Sequence, residues 1–431
     1  MQRNWSGSVQ FSPAIVAHPT DESAISRLIA DASARRSGIR VVGSRHSFTP
    51  LIATEDTLVS LDRWSGLIET DPTRNTATVR SGTTIRSLGP LLRAQGMGME
   101  NLGDIDVQSL AGAISTGTHG TGATLGNLST QVEGLTLITA DGSRLECSAE
   151  SDPDLFDAAR LSLGLLGVIT RVKLRLRPAY RLHLVQRRER LDDCLARLDS
   201  AGAMNRYFEF YTFPGSDWVL SKSMNPTADP VRDHPIRSFL NDVVLENAGL
   251  NLLSELCRWF PNTSLPISRL AVRLASEYEK IQWSHRCFAS PRFVKFNEME
   301  YFIPRSSMAD CIREIQHCIR RENHHVHFPI ECRMVRADDL WLSPAYQRDS
   351  AVIAVHMYKG MEYRRYFEAM ESIFRNHQGR PHWGKMHSLR ADDFTALYPK
   401  WNAFLSLRDR LDPAGVFLND YLRPLFGTGS G

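Results

Sequence analysis

The segment from Gly103 to Gly122 constrains this chain more than any other. Glycine recurs at 103, 112, 117, 120 and 122, among Ser109, Ser115, Thr116, Thr118 and Thr121. Such a run does not sustain a long helix or a core strand, where each glycine costs roughly 0.5–1 kcal/mol relative to alanine. It does allow backbone N–H groups to converge on an anion, with hydroxyls as further donors. A shorter loop lies upstream in Val41-Val42-Gly43-Ser44-Arg45-His46-Ser47-Phe48. Neither loop has a Walker ending, and neither is a GxGxxG opening a long helix. The residues alone leave two readings open: a cradle for a pyrophosphate, or a pair of tight loops in a β-rich domain.

The surrounding pattern is mixed. Thr20-Asp21-Glu22 can cap a helix with Ile25, Leu28, Ile29 and Ala32 as its stripe and Gly38 as its stop. Ile39 to Val42 reads as a buried strand, and Thr170 to Leu176 alternates as a strand does. Asp71-Pro72 and Asp141-Gly142 punctuate further strand pairs. A boundary falls near Arg177-Pro178. Beyond it, 205–212, 217–221, 324–335 and 351–358 read as strands and 361–376 as a helix. The tail, 394–426, reads as a helix followed by an extended run. Residues 236–260 are helical and strongly apolar, with Phe239, Leu240, Val243, Val244, Leu253, Leu256 and Phe260. They suit a buried helix pair; the sharper alternative is contact with a second copy or a membrane surface.

Composition excludes several classes. With 431 residues the chain is long enough for two domains. A net charge of +3 argues against a dedicated nucleic-acid binder. The seven cysteines are odd in number and form no CxxC, which favours a reduced, cytoplasmic setting. No secretory signal and no membrane span is read in the sequence.

A strand running into Gly43-Ser44-Arg45-His46-Ser47, followed by Ala111-Gly112-Ala113-Ile114-Ser115-Thr116-Gly117-Thr118-His119-Gly120-Thr121-Gly122, is similar to FAD domains of the vanillyl-alcohol-oxidase (PCMH) type. The match is close to the aldonolactone oxidase branch, with alditol oxidases as near relatives. The resemblance implies an α+β chain: an FAD-binding domain over 1–178, an α/β substrate (cap) domain over 179–393, and a C-terminal segment, 394–431, packing back near the flavin. It implies a covalent bond from His46 to the flavin 8α-methyl carbon. It implies further FAD contacts from Val41, Val42, Gly43, Ser44, Arg45, Ser47, Asp104, Ser109, Gly112, Thr116, Gly117, Thr118, His119 and Ile169.

Glu331-Cys332-Arg333 lies in a strand-like run, so Glu331 and Arg333 share a face. On residues alone they read as a solvated ion pair. The resemblance turns them into groups at the flavin face, with Arg333 stabilising anionic flavin and Glu331 facing the substrate hydroxyl. His382 and Lys385, in His382-Trp383-Gly384-Lys385, match the family's His-Trp-x-Lys motif as catalytic groups. His356 and Tyr358 match substrate-side positions. Gly103 stands where a larger side chain in some relatives is thought to screen the flavin from O₂, so an oxidase is expected. His324, His325 and His327 lack a Cys or Asp partner at ligand spacing, and no metal is expected. The partners implied are a sugar lactone or polyol and O₂, with no nucleic acid and no membrane. The rival readings are an alditol oxidase acting on xylitol or sorbitol, a lactone dehydrogenase, and a flavin-binding protein without turnover.

Overall fold

The computed structural model describes residues 1–232, 249–289 and 293–427. Near the N-terminus, Ile15–Ala17, Thr57–Ser60 and Ile39–Val42 form a parallel three-stranded sheet. Helix Glu22–Ala34 links the first of these strands to Ile39–Val42. Asp21, not Thr20, caps that helix, accepting from the Ala24 N–H, and the helix ends at Arg35, before Gly38. Ile25, Ile29 and Ala32 lie buried on Ile39 and Val59, as the apolar stripe requires.

A five-stranded antiparallel sheet follows, in the order Arg144–Ser148, Val132–Ile138, Val168–Arg175, Thr76–Arg80, Leu67–Asp71. The larger sheet has eight strands, all antiparallel: Tyr278–Trp283, Arg181–Arg190, Trp218–Thr227, Tyr207–Thr212, Ile330–Val335, Ser350–Tyr358, Phe296–Pro304 and Arg380–Pro381.

Strand periodicity gives this large sheet two unlike faces. Phe208, Phe210, Met299, Tyr301, Ile330, Cys332, Ile353 and Val355 point one way and pack on helices Met308–Arg321 and Arg364–Asn376. The alternate positions carry Glu209, Tyr211, Glu298, Glu300, Glu331, Arg333 and His356. That polar face meets the glycine-rich loop: Gly122 N–H donates to the Met334 carbonyl at 2.9 Å, and Thr121 Oγ1 donates to the Phe208 carbonyl.

Three sequence expectations need correction. The strand expected over 324–335 begins only at Ile330; the preceding residues turn, with the His324 N–H bonded to the Ile319 carbonyl. The tail is not extended after its helices, Ala391–Leu397 and Trp401–Leu411. Asp412 accepts the Val416 and Phe417 N–H groups, coiling the chain, and Asn419 donates to the Pro50 and Ala53 carbonyls beside the first loop. Of the apolar stretch 236–260, residues 236–248 lie outside the described residues. The described part is not a buried helix pair: helix Leu250–Trp259 leaves Leu252 72 % and Trp259 71 % exposed.

Candidate active site

Two cavities meet at His46. The first, about 180 Å³, runs along Val41 to Ser47 and past Ser109, Gly112, Thr116 and Ile169. The second, about 80 Å³, also includes His46, Ser47 and Thr116, and adds Gly103, Asp104, Thr118, His119, Arg333, His382 and Lys385. Residues from both halves of the chain are thus gathered round one imidazole.

Close crossing of the two glycine-containing loops creates the first cavity. A Cβ on Gly43 would lie 2.2 Å from Ser109 Oγ, so only glycine lets the loops approach this closely. Ser44 Oγ donates to the Val107 carbonyl, and Ser109 Oγ accepts the Gly112 N–H at 3.3 Å. Helix Leu110–Thr116 ends at Gly117, which lines neither cavity. Bare backbone at Gly43, Gly112, Gly164 and Gly167, with hydroxyls from Ser109 and Thr116, fits an elongated phosphate-bearing ligand.

His46 sits at the junction with Trp5 stacked on it, centroids 5.5 Å apart. Burial first, then the Lys385 charge, lowers its imidazole to about 4. The ring is therefore neutral at pH 7 and has a lone pair to offer a carbon electrophile.

Lys385 reaches the second cavity through local packing. Trp383 is buried, donates from Nε1 to the Leu342 carbonyl at 2.7 Å and stacks on Phe394 and Trp401. Thr49 donates to the Trp383 carbonyl at 2.9 Å, and the Phe48 N–H to the Gly384 carbonyl at 2.7 Å. Lys385 Nζ then lies 2.5 Å from Glu298 Oε2. Burial pulls this ammonium down, but Glu298 and Glu300 more than offset it and hold Lys385 above the usual lysine value. Burial likewise raises Glu298, and Lys385 and His356 overcome it, bringing the carboxyl to about 2. His382 lines the same cavity, lowered to about 4 mainly by burial, its Nδ1 accepting the Gly384 N–H.

Arg333 is ringed by carboxylates. It pairs closely with Glu331, its Nε donates to Glu209 at 3.0 Å, and Asp104 lies 3.7 Å away. These acids more than offset burial and push the guanidinium well above its ordinary range. Glu331 itself does not line the cavity; it stands behind Arg333 and accepts from Tyr211 Oη at 2.8 Å. His356 also stands behind the lining, 3.4 Å from Glu298. Tyr358 is turned to another element: its hydroxyl donates to Glu255 at 2.6 Å on helix Leu250–Trp259.

Sequence reasoning passed over Glu209, Glu298, Glu300 and Trp5. Glu300 accepts from His119 Nε2 at 3.0 Å, while His119 Nδ1 faces the Gly120 carbonyl at 2.8 Å. The available signal was Phe296-Asn297-Glu298-Met299-Glu300-Tyr301, with two acids at strand spacing inside an aromatic run.

The fold and this paired cavity define an FAD-dependent oxidoreductase. Residues 13–148 match the FAD binding domain family, and 172–425 match the D-arabinono-1,4-lactone oxidase family. The chain belongs to the D-arabinono-1,4-lactone oxidase family. It is 39% identical to an L-gulono-1,4-lactone dehydrogenase of Mycobacterium tuberculosis, covering 98% of each chain. An L-gulonolactone oxidase of Scyliorhinus torazame is 33% identical, with 98% of this chain and 97% of that one covered. An alditol oxidase of a Streptomyces species is 27% identical over 98% of each. The fold is that of the crystal structure of cholesterol oxidase from B. sterolicum, with a TM-score of 0.81 at 18% identity, covering 98% of this chain and 96% of that one. Among the described residues no helix is long and apolar enough to cross a membrane.

Proposed function

We propose that this protein oxidises the 2-hydroxyl of a sugar 1,4-lactone to the 2-keto lactone, which enolises to an ascorbate-type product. FAD is held covalently through His46, and O₂ is reduced to H₂O₂. The cofactor supplies the two-electron acceptor. The observation that carries the reading is the meeting of both cavities at a neutral His46, with Lys385 and Arg333 beside it.

This chain's residues divide the remaining work. Trp5, Phe48 and Phe296 give the cavity aromatic walls, while Glu298, Glu300 and Asp104 offer acceptors and Lys385 and Arg333 donors. Charge of both signs suits a neutral, hydroxyl-rich molecule better than an anion or a sterol. Glu298 keeps Lys385 protonated, so Lys385 steadies negative charge developing on the substrate oxygen. The Glu298 carboxylate beside it is the acceptor that can hold the departing hydroxyl proton. Arg333, fixed by Glu209 and Glu331, orients substrate oxygens without moving.

The dehydrogenase name of the Mycobacterium tuberculosis relative favours a second reading, in which the electrons leave for an acceptor other than O₂. Gly103, in the cavity wall with no side chain, supports the oxidase. A panel of L-gulono-1,4-lactone, D-arabinono-1,4-lactone, xylitol and sorbitol tests both. Lactones should bleach the flavin anaerobically, and admitted air should restore the colour with one peroxide per turnover. Bleaching by polyols alone overturns the lactone assignment; colour restored only by a dye overturns the oxidase.

A further inference from the structure

A second cluster of ligating groups lies at the end of helix Met308–Arg321, among residues the active site does not use. Asn323 takes a left-handed backbone, φ 51°, and folds His324 back over the helix's last turn. Cys318 Sγ then lies 4.0 Å from His324 Nε2, and Glu322 Oε2 lies 3.4 Å from the same nitrogen. All three ligand atoms fall within 4.8 Å of one another. In a tetrahedral zinc site, bonds of about 2.3 Å to sulfur and about 2.0–2.1 Å to nitrogen or oxygen separate S from N by about 3.5 Å and N from O by about 3.3 Å. The nitrogen–oxygen separation already matches, and the sulfur must close by about half an ångström on the nitrogen.

A separate observation points into the same corner. The Tyr366 ring packs on His324 at 5.4 Å, and Tyr366 is only 2% exposed. Its buried hydroxyl has no hydrogen-bond partner among the described residues. A buried hydroxyl left unpaired is unfavourable, and an occupant of this corner that it could bond would relieve it. Glu322, 31% exposed, opens a path to solvent. The helix C-terminus favours a cation. Arg321 opposes it, pairing with Glu322 Oε1 at 2.6 Å, but leaves Oε2 turned to His324.

We propose that Cys318, Glu322 and His324 bind one divalent cation of zinc-like softness, with water or the Tyr366 hydroxyl as fourth ligand. Thiolate with imidazole selects Zn²⁺ over Mg²⁺ or Ca²⁺, and binding releases the thiol proton to solvent. The ion ties down the turn that leads into strand Ile330–Val335, which carries Arg333, so its role is structural. This departs from the sequence expectation of no metal, which treated 324–327 as a strand and could not see Cys318 and Glu322 brought round by the helix.

The test uses the flavin-loaded protein, stripped of metal and titrated with Co²⁺, then Zn²⁺. One equivalent of Co²⁺ should give a thiolate-to-cobalt charge-transfer band in the difference spectrum, displaced by Zn²⁺, with a rise in Tm. Cys318→Ser should abolish the band. Glu322→Gln, at a solvent-open position that does not threaten folding, should keep the band but weaken binding by roughly tenfold or more. No thiolate band in the unmodified protein, a band that survives Cys318→Ser, or an affinity unmoved by Glu322→Gln overturns the proposal.

Discussion

Lys385 Nζ and Glu298 Oε2 lie 2.5 Å apart in the wall of the cavity that His46 closes. The two arrive from a buried aromatic turn and from the polar face of the large sheet. Each sets the other's charge: Glu298 holds Lys385 protonated, and Lys385 keeps Glu298 ionised. A lysine held this way cannot take the substrate's proton at neutral pH, which is why charge stabilisation is assigned to it.

Glu298→Gln should separate those roles. Lys385 loses its largest supporting charge, so its pKa falls and the alkaline limb of the flavin-reduction profile moves to lower pH. The rate of reduction should drop by about 10²–10³-fold, with KM changing far less. Breaking the buried pair also costs about 3–5 kcal/mol, so Tm must be followed alongside. Stopped-flow reduction across pH decides it; an alkaline limb that does not move would show that Glu298 does not control Lys385.

His46→Ala removes the only side chain proposed to bond the flavin. Denatured wild-type protein should stay yellow after precipitation, and the variant should release its flavin to the supernatant. Trp5 and the glycine loops remain, so the native variant should still bind FAD non-covalently. Free flavin from the denatured wild type would end the covalent assignment.

Acid should unfold this protein in two stages. His327, His382 and His387 are each lowered to about 4, chiefly by burial. Because their folded pKa values lie below the unfolded value of about 6.5, the stability they contribute is full above that pH. It drains away as pH falls toward 4, by up to roughly 1.4 kcal/mol per pH unit for each ring. Glu209 and Glu298, lowered to about 2, act next. Their contribution is present above 4.5 and is lost between there and 2. Tm measured from pH 8 to 3 should fall from about 6.5 downward, and His387→Gln should shallow the first stage. A flat Tm between pH 7 and 5 would contradict the burial of these rings as neutral groups.

What the sequence disclosed follows from what each signal depends on. His46, Arg333 and Lys385 sit in short runs whose composition is unusual in itself, and the structure brings all three to one cavity. Glu300 has no such local mark: its partner His119 is 181 residues away, and a lone acid in a strand reads as solvent-facing. The face that Glu298 and Glu300 occupy is fixed by pairing with Ser350–Tyr358, a long-range fact. Tyr358 erred the other way. It shares a face with His356, but its position at the strand end lets helix Leu250–Trp259 capture its hydroxyl. The turn at Asn323 also overrode an apparent strand, because a left-handed residue after the helix reverses the chain.

Gly103→Ala bears on the electron acceptor. A Cβ there would meet the His119 carbonyl at 3.0 Å and Thr118 Cγ2 at 3.4 Å, so Gly103 and the Thr118-His119 backbone of the same segment must part by a few tenths of an ångström. The cost should be about 1–3 kcal/mol, in the range of overpacking. If O₂ reaches the flavin through this gap, the added methyl should slow reoxidation by at least tenfold, about 1.4 kcal/mol of barrier. Flavin reduction by lactone should change little, since Gly103 offers no side chain to substrate. The two half-reactions, timed separately, distinguish the cases. A variant that reoxidises at the wild-type rate would reduce Gly103 to a residue required only by its close approach to the His119 backbone, and the oxidase reading would lose its structural support.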